Sequence, residues 1–232
     1  MSEKKNSGLV IGIILFLLLG APIIWVMVNK TGVHYSQKLP IFYEIEIENG
    51  DTVYHTIDNF KLANQFGDTV TPKTLDSFIY LVNFFFTTCQ STCPVMNRYI
   101  SEHIVKEFVK DDEVKFISIT VDPDHDSVEV MKQYYEKYYH IPYVKDDQQK
   151  WWFLTGSKRK IYDLAENGYR IPGAEDASHQ DFFHSTKLVL VDKQRRVRGV
   201  FETNGQNEKK AVIDAVNALK LEYHGGHYRQ KK

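Results

Sequence analysis

The 232-residue chain is poor in cysteine, with only Cys89 and Cys93, four positions apart. A disulfide-stapled secreted scaffold is therefore excluded, because one local pair ties no distant segments together. No charge sign dominates either: 29 basic residues stand against 30 acidic ones, for a net charge of -1. A nucleic-acid surface needs a basic patch, and the interspersed charges supply none. Internal repeats and low-complexity tracts are also lacking, which removes solenoids and coil-forming linkers. What remains is ordinary for a packed protein, at 43% hydrophobic and 25% charged residues. Beyond the N-terminal segment there are roughly 200 residues, enough for one domain with a real core.

The N-terminus holds the one long apolar run. Leu9 to Val28 reads LVIGIILFLLLGAPIIWVMV, twenty residues without a charge. As a helix it spans about 30 Å, the thickness of a bilayer's hydrocarbon core. It is longer than the apolar region of a signal peptide, and no small-x-small cleavage site follows it. Nor does a cysteine follow it for lipid attachment. Lys4 and Lys5 before it and Lys30 and Lys38 after it leave little positive-inside difference. A short tail ahead of a large domain fits a signal anchor with the domain exported. The expected organisation is a cytoplasmic tail at 1–8, a transmembrane anchor at 9–28 and a linker at 29–41. A folded domain at 42–223 and a flexible tail at 224–232 complete it. The expected setting is the bacterial inner membrane, single-pass, with the domain on the periplasmic side.

Within the domain, Phe42 to Glu48 alternates and meets the turn signal Asn49-Gly50, a first hairpin. A second hairpin is expected around Asn64 to Asp68. Ile79 to Phe86, IYLVNFFF, reads as a central strand buried on both faces. A helix opens at Pro94, with Val95, Tyr99, Ile100, His103, Ile104 and Phe108 at helical spacing. The next strand is Val114 to Val121. Asp126 is the expected cap of a further helix, with Glu129 three residues on. Val128, Met131, Tyr135 and Tyr138 form its apolar stripe, read as core. A strand at Trp151 to Thr155 and a helix from Ser157 precede a long loop. A strand pair, Lys187 to Asp192 and Val197 to Glu202, and a helix from Asn207 to Tyr223 close the domain. The sum is an α/β fold with a mixed central sheet flanked by helices, in the thioredoxin order, with an N-terminal β-hairpin extension.

Cys89-Gln90-Ser91-Thr92-Cys93-Pro94 falls where the buried strand ends and a helix begins. In open α/β sheets that edge binds ligands. Free N–H groups and the helix dipole lower thiol pKa there, and thiolate is the form that attacks disulfides and holds metal. A purely structural bridge between these two positions gains on the order of 2 kcal/mol at most. Thioredoxin-type pairs have two intervening residues, and this pair has three. Two sulfurs leave a metal site underfilled, so a third ligand is needed. Soft thiolates with an imidazole favour copper, with zinc as the rival. Position alone does not separate His184 from His179, both near the entry to a buried strand.

The chain resembles the Sco/SenC family of copper-binding, thioredoxin-like cytochrome c oxidase assembly proteins. The resemblance rests on FFFTTCQSTCP at 84–94, VDPDHDS at 121–127, DFFHSTKLVLVD at 181–192 and the preceding FKLANQFGDTVT. It implies a membrane anchor and copper, as Cu(I) or Cu(II), bound by Cys89, Cys93 and His184. It also implies site-shaping roles for Asp122 and Pro94. The implied function is a metallochaperone for the dinuclear copper A centre, with the oxidase copper-site subunit or another copper protein as partner. The alternative is a membrane-anchored thiol–disulfide oxidoreductase that uses Cys89 and Cys93 as a redox pair. Gln90 stands where many members carry proline, which affects loop stiffness. The Pro-x3-Thr-x2-Cys signature of thiol peroxidases is absent around Cys89.

Overall fold

The structure is a computed structural model and describes residues 16, 20, 38–48, 51–138, 150–171, 186–203 and 208–224. The chain divides into two compact units, Met1–Gln37 and Lys38–Lys232. The apolar run Leu9 to Val28 lies almost wholly outside the described residues, and among those residues no helix is long and apolar enough to cross a membrane.

The domain is built on a seven-stranded sheet. A separate two-stranded hairpin pairs β1 (Glu44–Glu48) with β2 (Asp51–Tyr54) in antiparallel register, with Glu48 opposite Asp51; the expected turn residues Asn49 and Gly50 lie outside the described residues. The second hairpin pairs β3 (Leu62–Asn64) with β4 (Thr69–Val70). Its turn is held by Asn64, whose side-chain oxygen accepts the N–H groups of Phe66 and Asp68, both at 2.9 Å. A short helix α1 (Pro72–Leu75) leads into β5 (Ile79–Phe85), every residue of which is buried.

Helix α2 (Thr92–Tyr99) continues through the wider winding of a π-helix at Ile100–Val105 into a last turn at Lys106–Phe108. Strand β6 (Val114–Thr120), helix α3 (Val128–Tyr138) and strand β7 (Trp151–Thr155) follow. Helix α4 (Lys158–Asp163), strands β8 (Lys187–Val191) and β9 (Val197–Glu202) and helix α5 (Glu208–Tyr223) complete the order.

The sheet order is β4-β3-β7-β6-β5-β8-β9. Strands β5, β6 and β7 run parallel, while β8 is antiparallel to β5 and β9 to β8. The expected mixed sheet in thioredoxin order is therefore present, carried by the run β6-β5-β8-β9, which ends at the edge strand β9. The period of two in β5 divides the core. Ile79, Leu81 and Phe85 pack against α2, α3 and α5, whereas Tyr80, Val82 and Phe84 pack against α4.

Two expectations are corrected. Val95 and His103 do not share the buried face of this helix: Val95 is 68% exposed and His103 is exposed, while Tyr99 is half-buried against the core and the fully inward residues are Cys93, Met96, Asn97 and Ile100. Cys93 is drawn into the core, and this sets the register of that face. Asp126 does not cap α3. Ser127 does, its hydroxyl accepting the Val130 N–H at 3.3 Å, because the Asp126 carboxylate is engaged elsewhere.

Candidate metal centre

The chain leaves β5 through a tight turn in which the Cys89 N–H donates to the Phe86 carbonyl at 3.3 Å. Gln90 and Ser91 are exposed, and Cys93 is the second residue of α2. Both cysteines are free. They sit at the rim of the core beside Phe85 and Met96, and are 6% and 1% exposed. The Cys93 N–H, one of the helix's unpaired donors, donates to the Cys89 Sγ at 3.3 Å. The Ser91 hydroxyl lies 4.0 Å from the same sulfur.

This geometry separates the two thiols. Burial pushes Cys89 up, but hydrogen bonds from the Cys93 N–H and thiol and from Ser91 outweigh it and hold Cys89 below the ordinary thiol value. Burial dominates at Cys93, and donating its proton to Cys89 adds to it, so Cys93 is pushed up to about 12. Cys89 is therefore the more acidic thiol of the pair, and Cys93 the less acidic one.

Pro94 occupies the third position of α2, where its missing N–H leaves no bond unmade. It borders a groove of ≈270 Å³ formed with Val95, Arg98, Tyr99, Glu102 and His103. Asp122 acts through its backbone: its carbonyl accepts the N–H groups of His125 at 3.1 Å and Asp126 at 2.8 Å. Its own N–H donates to the Thr120 hydroxyl at 3.1 Å, which folds the loop after β6 back on itself.

His184 and His179 lie outside the described residues. The described residues show at which end of the sheet β8 begins. Strand β8 pairs antiparallel with β5, Val82 opposite Val189 and Tyr80 opposite Val191. Hence β8 begins at the edge where β5 ends and the cysteine turn begins. Among the described residues no group of three or more His, Cys, Asp or Glu side chains forms a metal site.

Two features were not read from sequence. Asp126 has a fully buried side chain and receives the Thr87 N–H at 3.1 Å and the Thr87 hydroxyl. It also receives the Thr120 hydroxyl and His125 Nδ1, the latter at 2.9 Å. The Asp126 carboxylate beside His125 raises the imidazole above its usual value. The second feature is a buried polar chain. Trp151 donates to Ser118 at 2.9 Å, Ser118 to Asn83 at 2.6 Å, Asn83 to Asn97 at 3.2 Å and Asn97 to the Tyr134 hydroxyl at 3.0 Å. Asn97 lies one helical turn beyond Cys93, so this chain fastens the cysteine-bearing helix to the sheet. The sequence signal was Asn83, a lone polar residue inside an apolar run.

The SCO1/SenC family model matches residues 49–220. The chain belongs to the SCO1/SenC family. Among curated relatives of this SCO1/SenC protein, the SCO1 protein homolog of Bacillus subtilis is 26% identical over 148 residues, covering 63% of this chain and 74% of the relative. A SCO2-like protein of Rickettsia prowazekii is 27% identical over 207 residues, covering 84% of this chain and 90% of the relative. Solved structures share the fold. BsSco, a member of the Sco family of cytochrome c oxidase assembly proteins in which a disulfide switch was identified, is 25% identical with a TM-score of 0.59, over 74% of this chain and 97% of that one. Bradyrhizobium japonicum ScoI, solved with copper bound, is 26% identical with a TM-score of 0.54, over 71% of this chain and 99% of that one.

Proposed function

We propose that this SCO1/SenC protein binds one copper ion through Cys89, Cys93 and His184 and delivers it to the copper A centre of cytochrome c oxidase. The observation that carries this reading is the free cysteine pair at the end of β5, with the Cys93 N–H on the Cys89 sulfur at 3.3 Å. Two soft donors lie side by side there, and the Cys89 thiol is held below its ordinary value. His184 precedes Thr186 by two residues in the sequence. Thr186 leads directly into β8, at the cysteine edge of the sheet. The copper-bound ScoI structure supports copper as the ion. Leu9 to Val28 tethers the domain to the bacterial inner membrane, with the domain on the periplasmic side, facing the copper-site subunit of the oxidase.

The test is copper stoichiometry and absorption of the reduced wild type, Cys93→Ser and His184→Ala. One ion per wild-type chain and loss in both variants is the expected result. No binding by wild type, or unchanged binding by His184→Ala, overturns the assignment.

The unequal thiols favour a second reading, a thiol–disulfide oxidoreductase. The Cys89 thiolate attacks a disulfide sulfur of the substrate, forming a mixed disulfide and releasing one substrate thiolate. Cys93 then gives up its proton and attacks the Cys89 sulfur. That step closes the Cys89–Cys93 disulfide and frees the second substrate thiol. This activity survives in His184→Ala, which separates it from copper delivery.

A further inference from the structure

Cys89 and Cys93 are the working pair in both readings, and nothing in that pair explains the buried carboxylate behind it. Removing a carboxylate from water is expensive unless donors surround it, so a fully buried one at an edge of the sheet calls for a role. Asp126 is bonded to the C-terminal ends of all three parallel strands. The Thr120 hydroxyl comes from the last residue of β6. The Thr155 hydroxyl, from the last residue of β7, donates to the Asp126 carbonyl at 2.8 Å. From the chain leaving β5, Thr87 gives both its N–H and its hydroxyl. Outermost is His125, with a half-exposed ring, also 3.4 Å from the Thr87 hydroxyl. Thr87 is the second residue of the Phe86–Cys89 turn that orients Cys89.

We propose that Asp126 is a positioning residue for the cysteine pair: by gripping Thr87 at two atoms it locks the Phe86–Cys89 turn and so keeps the Cys89 sulfur on the Cys93 N–H. A carboxylate suits this task because one group accepts from several donors at once, and bonds to a charged acceptor are the stronger kind. Two bonds to a single residue fix both its position and its backbone orientation. When the grip is lost, the turn gains freedom, the Cys93 N–H no longer faces the sulfur steadily, and Cys89 loses the hydrogen bond that holds its sulfur in place. Threonine at 87 supplies both donors, and serine there would supply the same pair.

The inference rests on Cys89 and Cys93 being the working site but not on copper. Its readouts are the alkylation rate of Cys89 at pH 7 and the reduction potential of the Cys89–Cys93 couple, on the full chain. Asp126→Asn and Thr87→Val are expected to slow alkylation about fivefold, the factor that goes with one hydrogen bond. Both are expected to shift the potential to more negative values, because the reduced form loses stabilisation. Thr87→Ser is expected to restore the wild-type rate. Leu164→Ala, a core change on the opposite face of the sheet, lowers stability without moving either readout. If Asp126→Asn fails to fold, Thr87→Val and Thr87→Ser decide the matter. The proposal is overturned if Thr87→Val alkylates at the wild-type rate, or if Leu164→Ala shifts rate and potential equally. Copper titration of wild type is scored separately, so its failure removes the copper reading and leaves this one standing or falling on the thiol measurements.

Discussion

The Asp126 carboxylate accepts both the backbone N–H and the hydroxyl of Thr87, a residue 39 positions away. That pairing joins the two SCO1/SenC motifs that sequence shows only as separate segments, the cysteine turn and the loop after β6.

The two cysteines should differ in reactivity. At pH 7 limiting iodoacetamide labels Cys89 before Cys93, because only Cys89 is held below the ordinary thiol value while Cys93 is pushed up to about 12. Peptide mass mapping reads the order. Equal labelling of both sites would contradict the hydrogen-bond assignment.

Copper binding should strengthen as pH rises. A protonated thiol is no ligand, so Cys93 must lose a proton that it holds up to about 12. Well below that value each ion displaces one proton from Cys93, and apparent affinity rises about tenfold per pH unit from this group alone. Competition with a chelator of known pH behaviour between pH 6.5 and 8.5 measures the slope. Cys93→Ser, if it retains any affinity, has a shallower slope by about one unit per decade.

The polar chain under α2 predicts a stability defect without a change in the ligands. Asn83→Ala removes the acceptor of the Ser118 hydroxyl and the donor to the Asn97 side-chain oxygen. The expected loss is about 2–4 kcal/mol, from one buried donor and one buried acceptor that each lose a bond. Urea unfolding of the reduced chain measures it. Adding Asn97→Ala should cost less than the sum of the two single changes, since the partners are shared.

Arg198 predicts where the domain holds the chain that precedes it. Its guanidinium is almost fully buried and donates to the Leu39 carbonyl at 2.8 Å and the Pro40 carbonyl at 3.1 Å. It also pairs with Asp192 at 2.9 Å and Glu222 at 2.7 Å. Arg198→Met breaks a buried ionic cluster at one partner, with an expected loss of about 3–5 kcal/mol. It should also expose the chain around Leu39 to proteases. Limited proteolysis with N-terminal sequencing checks this, and an unchanged cleavage pattern would show that other contacts hold the segment.

Much of the fold was legible because it depends on short-range pattern. The run from Ile79 to Phe85 is apolar on both faces because both faces are covered, and the Asn64 turn closes through bonds within five residues. Side-chain direction on α2 was less legible. Val95 and Cys93 are both apolar, and only the packing of the helix against β5 decides which turns inward. The function of Asp126 was misread for a similar reason. Local spacing suits a helix cap, and the competing donors come from Thr87 and Thr120, which spacing does not connect.

Sequence by itself determined the chemistry available: two thiols alone, their place between a buried strand and a helix, and the motifs that mark the family. These depend on composition and on neighbours along the chain. Only the tertiary structure decided that Cys89 and Cys93 are unequal, that Asp126 braces their turn, and that β8 enters at their edge. Those outcomes depend on burial and on donors brought together across the sheet, and residue spacing contains no measure of either.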